Sequence, residues 1–368
     1  MRKPRSRAAI ISILLLAVII FGLVYYAWNT ATDIFQPVNA NAKGSTIPFT
    51  ITDGETTAQI GDSLQTKGLI RNALAFRIWA RVKNLDKFLQ AGVYTKLSPG
   101  MTISDITDQL LNAQPDATRV IIPEGWRLEQ IGQALANANP TLIKFKEDDF
   151  LNYTKHIDRF PDKKLYPILQ QVPAGQSMEG LLFPSTYDIP VAATARDVID
   201  LLLKTMNDTI NQNNLAKLAQ MHQMSLYKML TLASIIERET GAKSDRAKVA
   251  SVYWNRVYKP NAETNGLLQA DPTVQYARDT ETPPKPPQKY WSQLQAVGGQ
   301  VAPNSRWNTY TQAGFPPTPI CSPGLASMIA AAAPPVTGDY YFLAKPDGTS
   351  VFEQTFAQFQ QDVQKYLH

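Results

Sequence analysis

The sequence predicts an α+β chain in three parts: an N-terminal transmembrane helix, one or more small α/β subdomains, and a mainly helical domain with short strands. Three observations carry this. An uncharged, largely apolar stretch runs from Ala8 to Thr32, a strand–turn–helix pattern recurs between residues 45 and 140, and helical patterns dominate 141–368. A chain of 368 residues has room for two or three domains. Its one cysteine, Cys321, excludes an intrachain disulfide and a cysteine-based zinc site. The histidines, His156, His222 and His368, are far apart, which counts against a histidine metal centre or a Ser-His-Asp triad. No metal and no cofactor are expected. Setting aside Arg2, Lys3, Arg5 and Arg7 takes the net charge from +5 to +1, so no nucleic-acid surface is expected either.

The first part divides into a basic flank at 1–7 and an anchor at 8–28. The heart of the anchor, Ile10 to Val24, is apolar apart from Ser12, and Tyr25, Tyr26 and Trp28 follow it. About 20 apolar residues cross a bilayer, and aromatic residues gather at its interface. The preceding cations place the N-terminus in the cytoplasm and the rest outside, as a single-pass protein of the cytoplasmic (inner) membrane. The alternative is a cleaved signal peptide, whose apolar core is ~7–15 residues. The stretch here is longer, and no convincing small-x-small cleavage site follows it directly.

The second part carries a threefold pattern. Gly54, Ile60 and Leu64 recur as Gly100, Ile106 and Leu110, then as Gly125, Ile131 and Leu135. Each glycine ends a turn, and the Ile and Leu, four apart, share one helix face. Extended segments, 47–51 and 120–122, precede two copies. The unit resembles a piece of the LysM-type module, which binds the sugar chains of peptidoglycan and chitin. A degenerate copy can equally be a packing domain.

In the third part, helical patterns span 194–221, then Ser225 to Thr240 with Ser225 as N-cap and Gly241 as stop, then 245–258. A proline-rich stretch after Tyr276 reads as a surface loop beside the site. A helix at 323–333, a strand at 340–344 and a final helix at 354–367 complete it. The informative helix ends Ile235-Ile236-Glu237-Arg238-Glu239-Thr240. Glu239 stacks on Leu232, Ile235 and Ile236, and a carboxyl against apolar surface at a helix C-terminus has a raised pKa. It is the candidate general acid. Glu237 is better placed for a surface pair with a nearby cation.

Here the residues become recognisable. The blocks 233–240, 245–256, 268–276, 308–310 and 314–324, with Glu179 to Pro184, resemble in order the YceG-like endolytic murein transglycosylases, over nearly the whole chain. The resemblance implies a lysozyme-like catalytic domain over 141–368. It implies a lytic cut between N-acetylmuramic acid and N-acetylglucosamine within peptidoglycan strands, leaving 1,6-anhydromuramyl ends and terminating strand elongation. Carried over, the catalytic residue is Glu239, acting as acid and then base. Gln269, Asp271, Asn308 and Tyr310 are the candidates for positioning the strand, although Asp271 can also cap the turn at Pro272. Asn255 and Arg256 read as structural. Expected partners are peptidoglycan glycan strands, the cytoplasmic membrane and penicillin-binding peptidoglycan synthases. Two alternatives stay open: a muramidase-type hydrolase with Asp271 as second carboxylate, and a non-catalytic peptidoglycan-binding scaffold.

Overall fold

The structure, a computed structural model, describes residues 33–367 apart from 43, 53, 86–87, 90, 113–116, 140, 240–242 and 296–297, together with Val18 and Phe21. The basic flank, nearly all of the anchor at 8–28, and the positions of Thr240 and Gly241 therefore lie outside the described residues. Among the described residues no helix is long and apolar enough to cross a membrane. The chain divides into two compact units, Met1–Ala117 with Pro190–Ala192, and Thr118–Ile189 with Ala193–His368.

In the first unit the order is β1 (Phe49–Ile51), α1 (Thr57–Thr66), α2 (Ala73–Val82), β2 (Gly92–Tyr94) and α3 (Ile103–Asn112). β1 and β2 pair antiparallel, with Phe49 opposite Tyr94. Thr56 and Gln59 form a capping box at the start of α1, and Asn72 caps α2. The repeat is legible here as packing. Ile60 and Leu64 of α1, and Ile106 and Leu110 of α3, fill one core with Phe49, Leu69 and Phe76.

The second unit begins with β3 (Ala117–Ile121), α4 (Leu128–Ala136), α5 (Glu147–Lys155), β4 (Thr186–Pro190), α6 (Ala195–Gln212) and α7 (Leu215–Met221). β3 pairs with β4. The third repeat, with Ile131 and Leu135 buried on α4, shares the core of α6 and the helices that follow. The unit boundary thus falls at 117/118, inside the stretch 45–140 that the sequence groups together. The helical stretch 194–221 is two helices. Asn214 adopts a left-handed φ of +52° between them, which asparagine tolerates better than most residues.

The second unit continues with α8 (Leu226–Glu239), α9 (Arg246–Tyr258), α10 (Asp271–Glu281), α11 (Leu325–Ala332), β5 (Tyr341–Ala344), β6 (Ser350–Glu353) and α12 (Phe356–Leu367). Ser225 Oγ accepts from Lys228 N and caps α8 as expected. α8 is buried on most of its circumference and packs against α7, α9, α10 and α11. Small residues on both helices, Ala233 and Ser234 on α8 and Ala330 to Ala332 on α11, leave room for close approach. Ser234 also accepts from Ile320 N at 2.9 Å and so ties the 314–324 loop to the helix. Gly180 is needed nearby. Its φ is +73°, and a Cβ there would meet the Cβ of Pro319 at 2.3 Å.

Candidate active site

The last three residues of α8 diverge. Glu237 is buried, pairs with Arg246 at 3.2 Å, and accepts from the Gly324 N–H at 3.0 Å, at the start of α11. The pairing with a cation is as expected, but it is buried rather than at the surface, because α9 and α11 close over it. The Arg238 guanidinium lies over the Trp291 ring at 4.3 Å. Glu239 accepts a 2.7 Å hydrogen bond from Tyr253 Oη of α9 and opens into a cleft of about 380 Å³.

Beneath Glu239, Leu232, Ile235 and Ile236 are fully buried, as the apolar stripe required. Burial pushes the Glu239 carboxyl up to about 7. The Asp271 charge adds to the rise, while the Tyr253 hydrogen bond and the Arg256 charge oppose it. A carboxyl poised there can both give and take a proton near neutral pH.

The remaining cleft walls come from five segments. Tyr253 and Arg256 stand one turn apart on α9, Gln269 and Asp271 flank the start of α10, Tyr310 comes from the long segment between α10 and α11, Tyr341 and Phe342 lie on β5, and Phe356 and Phe359 lie on α12. Asp271 does not cap α10. Pro272 is accommodated in the helix's first turn, where a missing N–H costs nothing, and Asp271 Oδ1 instead accepts from Tyr310 Oη at 2.6 Å. Gln269 holds a left-handed φ of +52°, fixed by its N–H to Thr309 O at 3.0 Å. Strain of this kind persists where the surroundings over-determine it, often at functional sites. Gly298 leaves room for Tyr310, since a Cβ there would stand 2.3 Å from its ring.

Glu239, Gln269, Asp271 and Tyr310 are therefore brought together. Asn308 is not among the cleft residues. It is fully buried, donates to Val301 O at 2.9 Å, and accepts from Tyr310 N at 2.9 Å, so it laces the proline-rich loop to Tyr310. Asn255 is structural as expected, donating to Thr337 O and Asp339 O. Arg256 is only partly so. It holds Tyr340 O and Leu268 O, each at 2.7 Å, yet also lines the cleft. Tyr253 and the aromatic wall were not singled out from sequence as site residues, and Arg256 reads there as structural only. The spacing of Tyr253 and Arg256 puts them on one helix face, but nothing local says that the face looks at Glu239.

The profile of the YceG-like family matches residues 49–365. An endolytic murein transglycosylase of Bacillus subtilis is 30% identical over 344 residues, 91% of this chain and 88% of that one. One of Streptococcus pneumoniae is 26% identical over 92% of this chain and 61% of its own length. The crystal structure of a YceG-like protein from Listeria monocytogenes superposes with a TM-score of 0.52 at 29% identity, covering 86% of this chain and 99% of that one.

Proposed function

The chain belongs to the YceG-like family, and from that premise we propose that it is an endolytic murein transglycosylase with Glu239 as its acid and base. The observation that carries the reading is the Glu239 carboxyl, raised to about 7, hydrogen-bonded and open to a cleft. Glu239 gives its proton to the glycosidic oxygen, and the bond from the muramic acid anomeric carbon to that oxygen breaks with its electron pair. The C6 hydroxyl of the same sugar bonds to the anomeric carbon and returns its proton to Glu239. No water is consumed, and one carboxyl suffices where a retaining hydrolase uses two. Gln269, Asp271 and Tyr310 position the strand, and the negative charge of Asp271 faces the developing positive charge of the sugar. Cleavage within strands would terminate their elongation.

In this reading residues 8–28 anchor the protein in the cytoplasmic membrane with 33–368 outside. The substrate is peptidoglycan, with the synthases that make it as partners and the LysM-like region beside it. Protease added to spheroplasts should digest the large domain and leave an N-terminal stub. Full protection would refute that orientation.

Mass spectrometry of the products from purified sacculi tests the chemistry. Anhydro ends are expected. Reducing ends that have gained water would instead favour the hydrolase with Asp271 as second carboxylate, and no cleavage would favour the scaffold.

A further inference from the structure

We infer that Tyr253 is a positioning residue that assigns separate tasks to the two oxygens of Glu239, holding Oε1 as an acceptor so that the mobile proton is carried on Oε2. This rests on Glu239 being the acid and base.

The geometry is specific. Tyr253 Oη is 2.7 Å from Glu239 Oε1, and this is the one hydrogen bond to the Glu239 side chain among the described residues. The tyrosine itself cannot swing. It is 2% exposed, and its ring meets Phe342 edge-on, with centroids 5.8 Å apart and planes at 89°. Burial and the Glu239 charge hold its phenol well above its ordinary value, so it remains a donor across the working range. A neutral carboxyl that accepts at one oxygen carries its proton on the other. In the lytic cycle Oε2 therefore faces the glycosidic oxygen first and the C6 hydroxyl second, with no rotation of the carboxyl between the two transfers.

The same bond is stronger to the carboxylate than to the acid, so it also opposes the rise that burial imposes. The other groups facing Glu239 are Arg256 on α9, Asp271 on α10, Gln269 before it, Tyr310 from the loop and Tyr341 on β5. Glu237 and Arg238, on its own helix, are engaged elsewhere by Arg246 and Trp291. Arg256 acts in the same sense as Tyr253 and Asp271 in the opposite one, but neither is hydrogen-bonded to the carboxyl.

Tyr253→Phe in the full-length protein keeps the ring and removes the donor. Two measurements decide: kcat and KM on sacculi between pH 5 and 9, and a ¹³C titration of the Glu239 carboxyl, assigned by its absence in Glu239→Gln. The expected result is an alkaline limb and a carboxyl midpoint both moved upward by about one pH unit, with kcat about tenfold lower and KM unchanged. An unmoved midpoint, or a rise in KM at constant kcat, overturns the inference. An active Glu239→Gln would sink the functional reading instead, and the carboxyl titration would still decide whether Tyr253 holds Oε1.

Discussion

Two glutamates in the second unit each have a tyrosine beside them and a raised pKa, yet only one opens to a cleft. Glu239 is pushed up to about 7 and opens to the cleft. Glu179 is pushed up to about 8, first by burial and then by the Glu129 charge, and is 1% exposed. Its Oε2 accepts from Tyr276 Oη at 3.4 Å and Leu128 N at 3.5 Å. The charge that opposes the rise is that of Arg127, itself 1% exposed, whose guanidinium lies 4.1 Å from the centre of the Tyr276 ring and 4.9 Å from that of Tyr290. A perturbed carboxyl marks a candidate site only where a reacting atom can reach it.

The largest expected effect breaks the pair apart. Glu239→Gln removes the transferable proton and should lower turnover by several orders of magnitude, since each acid or base role is worth ~10²–10⁴-fold. Glu179→Gln should stay within about tenfold of wild type. If the two results are reversed, access is the wrong criterion. If both variants stay active, Asp271 becomes the next candidate acid.

Stability sharpens the same comparison. Both carboxyls bind a proton more tightly in the folded chain than at the unfolded value of roughly 4.3. Their contribution is therefore fully present below about pH 4, and it is lost as pH rises through about 7 for Glu239 and about 8 for Glu179. Glu179→Gln should flatten the fall in unfolding free energy between pH 5 and 8, by up to about 1.4 kcal/mol per pH unit, read from denaturant titrations at each pH. Glu239→Gln should flatten it less and over a narrower window. Parallel wild-type and Glu179→Gln curves would mean that Glu179 is ionised in the fold.

Glu237→Gln comes next. It leaves Arg246 buried without its charge partner, and breaking such a pair costs ~3–5 kcal/mol when nothing replaces it. The glutamine still accepts from Gly324 N, so the loss should fall at or below that range. Turnover at a temperature where the variant is folded should change tenfold or less. A folded variant without activity would mean that the helix end has been read on the wrong face.

What was legible in the sequence follows from how local each signal is. The repeat's Ile and Leu positions and the stripe under Glu239 are periodicities within single helices, and all are buried as expected. The capping Ser225 is equally local. The start of α10 was obscured because Pro272 reads as a turn until one asks whether it sits in a first helical turn. Tyr253, Arg256 and the wall of Tyr341, Phe342, Phe356 and Phe359 come from segments as far apart as α9 and α12. No spacing in the chain announces that they converge. Asn308 is buried outside the cleft lining, which its motif does not announce. An amide in a distinctive motif suggests ligand contact, but buried amides serve equally well as staples for loops.

The smallest effect concerns that staple. Asn308→Ala removes the donor to Val301 O and the acceptor for Tyr310 N, leaving buried backbone groups unpaired. Each such group costs about 1–3 kcal/mol, so a melting temperature several degrees lower is expected. Tyr310 would lose its fixed place opposite Asp271, and KM on sacculi should rise several-fold while kcat changes little. Asn308→Asp separates the two jobs of the side chain. It keeps an acceptor for Tyr310 N but cannot donate to Val301 O, so it should recover the KM and keep much of the instability. A large drop in kcat at unchanged KM in both variants would place Asn308 against the substrate after all.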